Sequence, residues 1–116
     1  MSEFILIFRG EDAHAAEHSP EAMQANMQKW MEWMDGLQKQ GKFIGAQPLK
    51  KSGRIINGDK KIITDGPFME GKEMVAGYLL CKADSYDEAV GIANNCPILV
   101  HENGSVEVRE IEEMKI

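Results

Sequence analysis

Residues 74–83 have the sequence Met-Val-Ala-Gly-Tyr-Leu-Leu-Cys-Lys-Ala, which opens with the longest apolar stretch of the chain. An apolar run of this kind is typical of a strand that is covered on both faces. A second run, Phe4-Ile5-Leu6-Ile7-Phe8, lies between Glu3 and Arg9 and is rich in aromatic and β-branched residues. We therefore predict two central strands, around which the other elements are arranged.

Two helices are predicted from their capping residues. Ser19-Pro20-Glu21 places an N-cap serine before a proline suited to the first helical position and an acidic residue at the positive end of the helix dipole. In Ser85-Tyr86-Asp87-Glu88, Ser85 caps and Glu88 reaches back, and Pro97 ends this second helix. The first helix runs to Gln40, stops at Gly41 and carries an apolar stripe of Met23, Met27, Trp30, Met31, Met34 and Leu37.

Turn residues and alternation predict the remaining strands. Residues 43–49 form a strand in which Pro48 indicates a sheet edge or a bulge. Residues 54–64 form a hairpin with a type I′ turn at Asn57-Gly58, and Asp65-Gly66-Pro67 then closes this arm as a turn. Residues 105–109 alternate polar and apolar side chains, as a half-exposed strand does.

The predicted order is strand, helix, strand, hairpin, strand, helix, strand. This order is the α+β, ferredoxin-like plan (βαββαβ) with a hairpin insertion, in which two helices cover one face of an antiparallel sheet. We expect one domain over residues 1–116. The other face of the sheet is too apolar for water, so we predict a homodimer that packs sheet against sheet.

The charge balance limits the classes of partner. With 13 basic and 19 acidic side chains, the chain has a net charge of −6 and an isoelectric point of about 5.0. Phosphate recognition requires a surplus of Lys and Arg, so neither nucleic acid nor an anionic membrane is a predicted partner. Two cysteines form no disulfide framework, and the first residues lack the basic start of a signal peptide. The expected location is the cytoplasm.

A series of short motifs resembles one protein family, the YCII-related proteins of the DGPF type. The resemblance covers residues 3–111. The matching motifs, in chain order, are Asp65-Gly66-Pro67-Phe68, Lys72-Glu73, Gly77-Tyr78, Ser85-x-x-Glu88-Ala89, Cys96-Pro97 and Gly104-Ser105-Val106-Glu107-Val108-Arg109.

The resemblance implies a ferredoxin-like fold of the dimeric α/β-barrel class, but no settled activity. For some members it also implies a regulatory link to extracytoplasmic-function sigma factors. Classical YCII proteins carry a His in the first helix and an Asp in an Asp-Pro-Tyr motif after the second helix. This chain has no His in residues 21–40 and has Cys96-Pro97-Ile98 at the second position, so a His–Asp mechanism does not carry over.

Four residues are candidates for chemistry in or near the DGPF segment and the last loop. Asp65 has two interpretations: it stabilises the turn through backbone N–H groups, or it is an acid/base or ligand anchor at a cavity mouth. Lys72 and Glu73 form a solvated hairpin end or join Asp65 in binding a ligand. His101 is an inert exposed side chain or, if it faces a cleft, a base that titrates near neutral pH.

Three further residues are candidates for ligand binding. Arg54 and Arg109 have guanidinium groups that bind a carboxylate in a bidentate manner, although Arg109 also suits an ion pair with Glu107. Trp33 lies on the flank of the apolar stripe and is the residue expected to line a cleft. The methionines of that stripe are core fillers or the wall of an adaptable ligand groove.

Metal chemistry is not predicted. His14-Ala15-Ala16-Glu17-His18 matches the spacing of an inverted zinc-protease motif, but it precedes the helix start at Ser19-Pro20 and is interpreted as a solvated loop. No cofactor is predicted either. The sequence favours a small-molecule-binding or regulatory homodimer. The alternative is a small cofactor-independent enzyme that acts on a hydrophobic or carboxylated metabolite, with Asp65 or His101 as the acid/base.

Overall fold

A computed structural model describes residues 1–10, 19–59, 62–66 and 74–114. Its elements follow the predicted order, with one short 3₁₀ turn, Pro97–Val100, added after the second helix. The elements are β1 (Ser2–Arg9), α1 (Pro20–Lys39), β2 (Phe43–Pro48), β3 (Gly53–Asn57), β4 (Ile62–Gly66), β5 (Val75–Ala83), α2 (Tyr86–Ala93) and β6 (Ser105–Glu110).

Four strands form one antiparallel sheet in the order β2-β5-β1-β6. The two strands predicted from the longest apolar runs, β5 and β1, occupy its centre. The two strands β3 and β4 form a separate ribbon. This is the predicted α+β, ferredoxin-like architecture with a hairpin insertion, and β2 is an edge strand with a bulge between Phe43 and Gly45, as Pro48 indicated.

The register of β1 against β5 sorts the side chains onto two faces. Leu6 lies opposite Leu79 and Phe4 opposite Cys81. These side chains face the helices and are fully buried. The alternate positions pair Ile5 with Leu80 and Ile7 with Tyr78 on the other face, where all four are half-buried within one chain. We call these four side chains the open face.

Both predicted N-caps are confirmed. The Ser19 hydroxyl oxygen accepts from the Ala22 amide at 3.0 Å, and the Ser85 hydroxyl accepts from the Glu88 amide at 3.1 Å. The Glu88 carboxylate lies 2.9 Å from the Lys42 ammonium, which joins α2 to the start of β2. The hydrogen bond from Lys42, helped by one from the backbone at Asp84, holds the pKa of Glu88 below its ordinary value.

Several local predictions require correction. The α2 helix ends at Ala93, and Pro97 instead begins the 3₁₀ turn. Asn57 is the last residue of β3 and lies opposite Ile62, so the hairpin connection spans residues 58–61 and is not a two-residue turn at Asn57-Gly58. Asp65 lies within β4, opposite Arg54, and not in a turn. A longer loop satisfies the hairpin without positive φ at Asn57.

The methionine stripe of α1 is not core filler throughout. Leu37 is buried, and Trp30 and Met34 pack against the core, but Met23, Met27 and Met31 are exposed. Helical spacing shows which residues share a face but not how deeply the sheet covers that face. Within the described residues, no helix is long and apolar enough to cross a bilayer.

Both cysteines are buried and free. Burial raises the pKa of the Cys81 thiol and raises the pKa of Cys96 to about 12. A thiolate is the reactive form of cysteine, so both side chains are inert packing groups near neutral pH.

Two glycines provide a matched test of the fold. A Cβ on Gly104 would lie 2.0 Å from the Ile98 carbonyl oxygen, whereas a Cβ on Gly36, inside α1, meets nothing within 4 Å. We expect Gly104→Ala to lower the free energy of unfolding by about 1–3 kcal/mol. Gly36→Ala should raise it by about 0.5–1 kcal/mol, because alanine restricts the unfolded chain. Urea denaturation measures both, and a Gly104→Ala protein as stable as Gly36→Ala would contradict the close approach.

Candidate functional site

An apolar cavity of about 230 Å³ lies between α1 and the strands β2 and β5. It is at the end of the sheet where β1 finishes, β2 finishes and β5 begins. Twelve residues line it: Phe8, Met27, Trp30, Met34, Ala46, Gln47, Pro48, Leu49, Ala76, Gly77, Tyr78 and Ile98.

Aromatic packing builds one wall of this cavity. The Phe8 ring meets the Trp30 ring edge-on at 5.2 Å between centroids, and Trp30 lies 5.8 Å from Trp33. Met27 and Met34 stand three residues before and four residues after Trp30, so helical geometry brings all three to the same stripe. The sequence analysis offered two interpretations of these methionines, core filler or the wall of a ligand groove. Met27 and Met34 line a cavity, so the second interpretation fits these two residues.

Glycine permits the opposite wall. A Cβ on Gly77 would lie 2.7 Å from the Gln47 carbonyl oxygen. Gly77 thus lets β2 pass close to β5, where Pro48 lies opposite it. The Leu49 amide donates to the Ala76 carbonyl oxygen at 2.8 Å and fixes the rim. The cavity wall is consequently rigid backbone on one side and adaptable side chains on the other.

Two buried nitrogen atoms at this end of the molecule have no hydrogen-bond partner within the described residues. One is Nδ2 of Asn26, whose side chain is 8% exposed, and the other is Nε2 of His101. Asn26 lies one helical turn before Trp30, and His101 follows the 3₁₀ turn that contributes Ile98 to the cavity. Buried polar groups without partners are rare. Neither residue lines the cavity, so a ligand in the cavity would reach these atoms only after a neighbouring side chain shifts.

Of the two candidate acid/base residues, the structure describes the side chain of His101 but not that of Asp65. His101 follows the 3₁₀ turn, where its amide donates to the Ile98 carbonyl oxygen and its own carbonyl oxygen accepts from the Gly104 amide at 3.0 Å. Ile98 lines the cavity, and His101 does not. Asp65 is placed by its backbone on β4, away from the four-stranded sheet, and its side chain lies outside the description. Lys72 and Glu73 lie outside the described residues, as does the His14–His18 motif.

The predicted arginine anchors do not meet at the cavity. Arg54 is on β3, opposite Asp65, and its Nη1 lies 3.5 Å from the Gly53 carbonyl oxygen. Arg109 is on β6 opposite Ile5, at the edge of the open face, with its Nε 3.9 Å from Glu107. Glu107 also pairs with Arg9. Neither guanidinium lines the cavities found within the described residues, and the anchor role of both remains a prediction.

Trp33 has a structural partner. Its indole N–H donates to the Ile92 carbonyl oxygen at 3.1 Å and so ties α1 to α2. It also lines a shallow, open groove of about 500 Å³ formed with Lys29, Glu32, residues 94–97, Leu99 and Val100. This groove is wider and more open to solvent than the apolar cavity, so the apolar cavity is the better ligand site. No cluster of three metal-binding side chains occurs among the described residues.

Asn26 was missed by the sequence analysis. The signal was present, because Asn26, Trp30 and Leu37 are spaced to share one face of α1 and Asn is unusual at a core position. The apolar stripe was defined by its methionines, and three of these, Met23, Met27 and Met31, lie on the exposed side of the helix and not on the buried side with Asn26. A polar residue within a buried stripe is the pattern that would have identified it.

A search of solved structures gives the fold an independent comparison. The 5-chloro-2-hydroxyhydroquinone dehydrochlorinase of Burkholderia phenoliruptrix, solved with 2,5-dihydroxybenzoquinone, is similar with a TM-score of 0.52 and 16% sequence identity. The match covers 96% of this chain and 95% of that chain. It supports the ferredoxin-like fold. No significant match was found among curated proteins.

A family model agrees with the motifs found in the sequence. The model of the YCII-related domain matches residues 3–115, which is nearly the whole chain. The chain therefore belongs to the YCII-related domain family.

Proposed function

We propose that this protein is a homodimer that binds a small, largely apolar molecule in the cavity between α1, β2 and β5. The observation that carries the proposal is the cavity itself, which has an aromatic wall of Phe8 and Trp30 and adaptable side chains at Met27 and Met34. Small-molecule sites are typically concave and apolar with a few polar groups that orient the ligand.

The size of the cavity limits the ligand. An apolar cavity of about 150 Å³ holds benzene, so about 230 Å³ admits an aromatic ring with small substituents or two fused rings. Asn26 lies one helical turn before the cavity-lining Trp30, so after a shift of that ring a ligand oxygen would accept the hydrogen bond that the Asn26 amide lacks within the described residues. The preferred ligand is therefore an aromatic or quinone-like molecule with at least one oxygen acceptor.

The homodimer is proposed from the open face. Ile5, Ile7, Tyr78 and Leu80 leave an apolar surface on the sheet side away from the helices, and the Arg9–Glu107 pair lies at its edge. A second copy seated sheet against sheet would remove this surface from water. The DGPF subtype and the sigma-factor link remain implications of the sequence resemblance and would make the ligand a regulatory signal.

A second candidate is catalysis in the same cavity. His101 supports it, because its Nε2 has no hydrogen-bond partner within the described residues and His101 follows the turn that contributes Ile98 to the cavity; a shift of the imidazole toward the cavity would let it take a proton from a bound ligand. The structural neighbour is named as a dehydrochlorinase, which indicates that the fold accommodates such chemistry. Fold likeness alone is weak support, and ligand binding is therefore the primary proposal.

The cavity is tested by making the same change, methionine to glutamate, separately at two residues on neighbouring turns of α1. Met27 lines the cavity and Met31 does not, although both are exposed, at 53% and 60%. Met27→Glu should raise the Kd for naphthalene at least tenfold, because a charge at the rim must be desolvated. Met31→Glu should change it less than twofold. Titration calorimetry measures both, and equal effects of the two variants would rule out this cavity as the binding site.

Replacing the buried amide of Asn26 should change two measured quantities in opposite directions: stability should rise and ligand affinity should fall. Asn26→Leu removes the amide nitrogen that lacks a partner among the described residues and keeps the same number and branching of side-chain heavy atoms, so the unfolding free energy should rise by about 1 kcal/mol. The same change should weaken 2,5-dihydroxybenzoquinone binding about tenfold and leave naphthalene binding within twofold. A less stable variant, or one that loses affinity for both ligands equally, would contradict the assigned role.

The catalytic alternative is tested with the chemistry named for the structural neighbour. Loss of HCl from 5-chloro-2-hydroxyhydroquinone needs a base that accepts a proton while chloride leaves. If His101 is that base, His101→Gln should lower the rate of chloride release at least 100-fold while leaving naphthalene binding unchanged. A wild-type protein that releases no chloride, or a His101→Gln variant with full activity, would remove this alternative.

A further inference from the structure

The β3–β4 hairpin and the connection leading into it, residues 50–66, form a projection that we call the arm. The arm is a two-stranded ribbon with its own register, separate from the four-stranded sheet. We propose that the arm packs against a second copy of this chain and is a second part of the homodimer contact. The inference rests on the homodimer proposed above and goes beyond its open face.

Within the part of the chain that the structure describes, the arm has little supporting surface. Among the described residues, β3 and β4 pack on each other and make no substantial contact with another element. A single two-stranded ribbon is marginally stable in water without a third strand or a covering element. The arm is nevertheless built as a strand pair from Gly53 opposite Gly66 to Asn57 opposite Ile62. A surface supplied from outside the chain would provide the missing support.

The arm also exposes apolar side chains. Ile55 is 40% exposed and Ile56 is 65% exposed. Ile55 and Ile56 are consecutive in β3, so their side chains lie on opposite faces of the ribbon. Exposed β-branched residues on both faces are typical of a ribbon that becomes buried in an assembly.

Charge identifies a second copy as the occupant. Residues 50–66 contain five basic and two acidic side chains, which gives the arm a net charge of +3. Because the whole chain carries −6, the remaining residues carry −9. A basic arm with exposed apolar residues is therefore complementary in charge to the residues outside the arm in a second copy of the chain. A nucleic acid suits the arm less well, because the acidic body would repel the phosphates.

Geometry places the arm where a second copy would meet it. The arm leaves the sheet from β2, which is an edge strand, and the molecule is a slab only 19 Å in its shortest extent. A hairpin that joins an edge of such a slab extends beside the sheet instead of folding onto either face. A partner seated on the open face would therefore lie next to the root of the arm, and a two-fold axis would form the arm contact twice.

The apolar part is tested by a matched pair of exposed β-branched residues. Ile56 on the arm is 65% exposed and Val100 at the end of the 3₁₀ turn is 69% exposed. Sedimentation equilibrium should show that Ile56→Asp raises the dimer Kd at least tenfold and that Val100→Asp changes it less than twofold. Circular dichroism of both variants checks the fold, since neither residue is in the core. Equal Kd values for the two variants would overturn the proposal.

The charged part is tested by reversing two lysines at the root of the arm. Lys50→Glu combined with Lys51→Glu should raise the dimer Kd at least tenfold at 50 mM NaCl. It should also flatten the salt dependence that the wild-type Kd shows between 50 and 500 mM NaCl. An unchanged Kd and salt dependence would overturn the proposed charge complementarity. Salt-sensitive binding of a 20-base-pair DNA duplex to the wild type, lost in this variant, would replace the second copy by nucleic acid as the occupant.

Hydrogen exchange then separates this inference from the other proposals. The amides of residues 53–57 should be protected in the dimer and exchange quickly in Ile7→Asp, which disrupts the open face. Fast exchange of these amides in the intact dimer would overturn the arm contact alone. A wild type that stays monomeric would overturn both the arm contact and the homodimer, while naphthalene binding reports on the cavity independently.

Discussion

The antiparallel pairing of β1 with β5 is the constraint on which the rest of the structure depends. With Leu6 opposite Leu79 and Phe4 opposite Cys81, four fully buried side chains occupy one face, and the helices can pack nowhere else. A shift of β1 by one residue would place Ile5 and Ile7 under the helices and turn Phe4 and Leu6 out to the other face of the sheet. Both faces of these two strands carry apolar side chains, so the register decides which set the helices cover. The other set is the open face, which stays half-buried within one chain.

The position of the candidate site follows from where these central strands end. Beyond Phe8 the chain reaches Gly10, whose φ of 134° suits glycine and whose absent side chain leaves room for the Asn103 carbonyl oxygen. The α1 helix crosses this end with Trp30 against Phe8, and Gly77 lets β2 approach β5. The space left between these elements is the apolar cavity. Close backbone approaches thus fix one wall, whereas Met27 and Met34 form a wall that can adapt to a ligand.

Much of the fold was predictable from local chemistry. The Ser19 and Ser85 caps, the two central strands and the edge position of β2 were each indicated by a few neighbouring residues, and each is confirmed. The errors concerned single turns. The residues at Asn57-Gly58 and at Pro97 are each compatible with two local conformations, and the sequence analysis chose the wrong one. Tertiary pairing selects between them: Asn57 pairs across the ribbon with Ile62.

The candidate site was less predictable. The sequence analysis chose charged residues such as Arg109, which lies at the edge of the open face, and did not choose Asn26. It expected Trp33 to line a cleft, and its indole N–H is also committed to the Ile92 carbonyl oxygen. By itself, the sequence determined the order and type of the elements, since caps, turns and side-chain periodicity act over a few residues. Only the tertiary structure decided which side chains are buried, where the cavity lies and that, among the described residues, the arm makes no substantial contact with another element. These features depend on contacts between segments far apart in the chain.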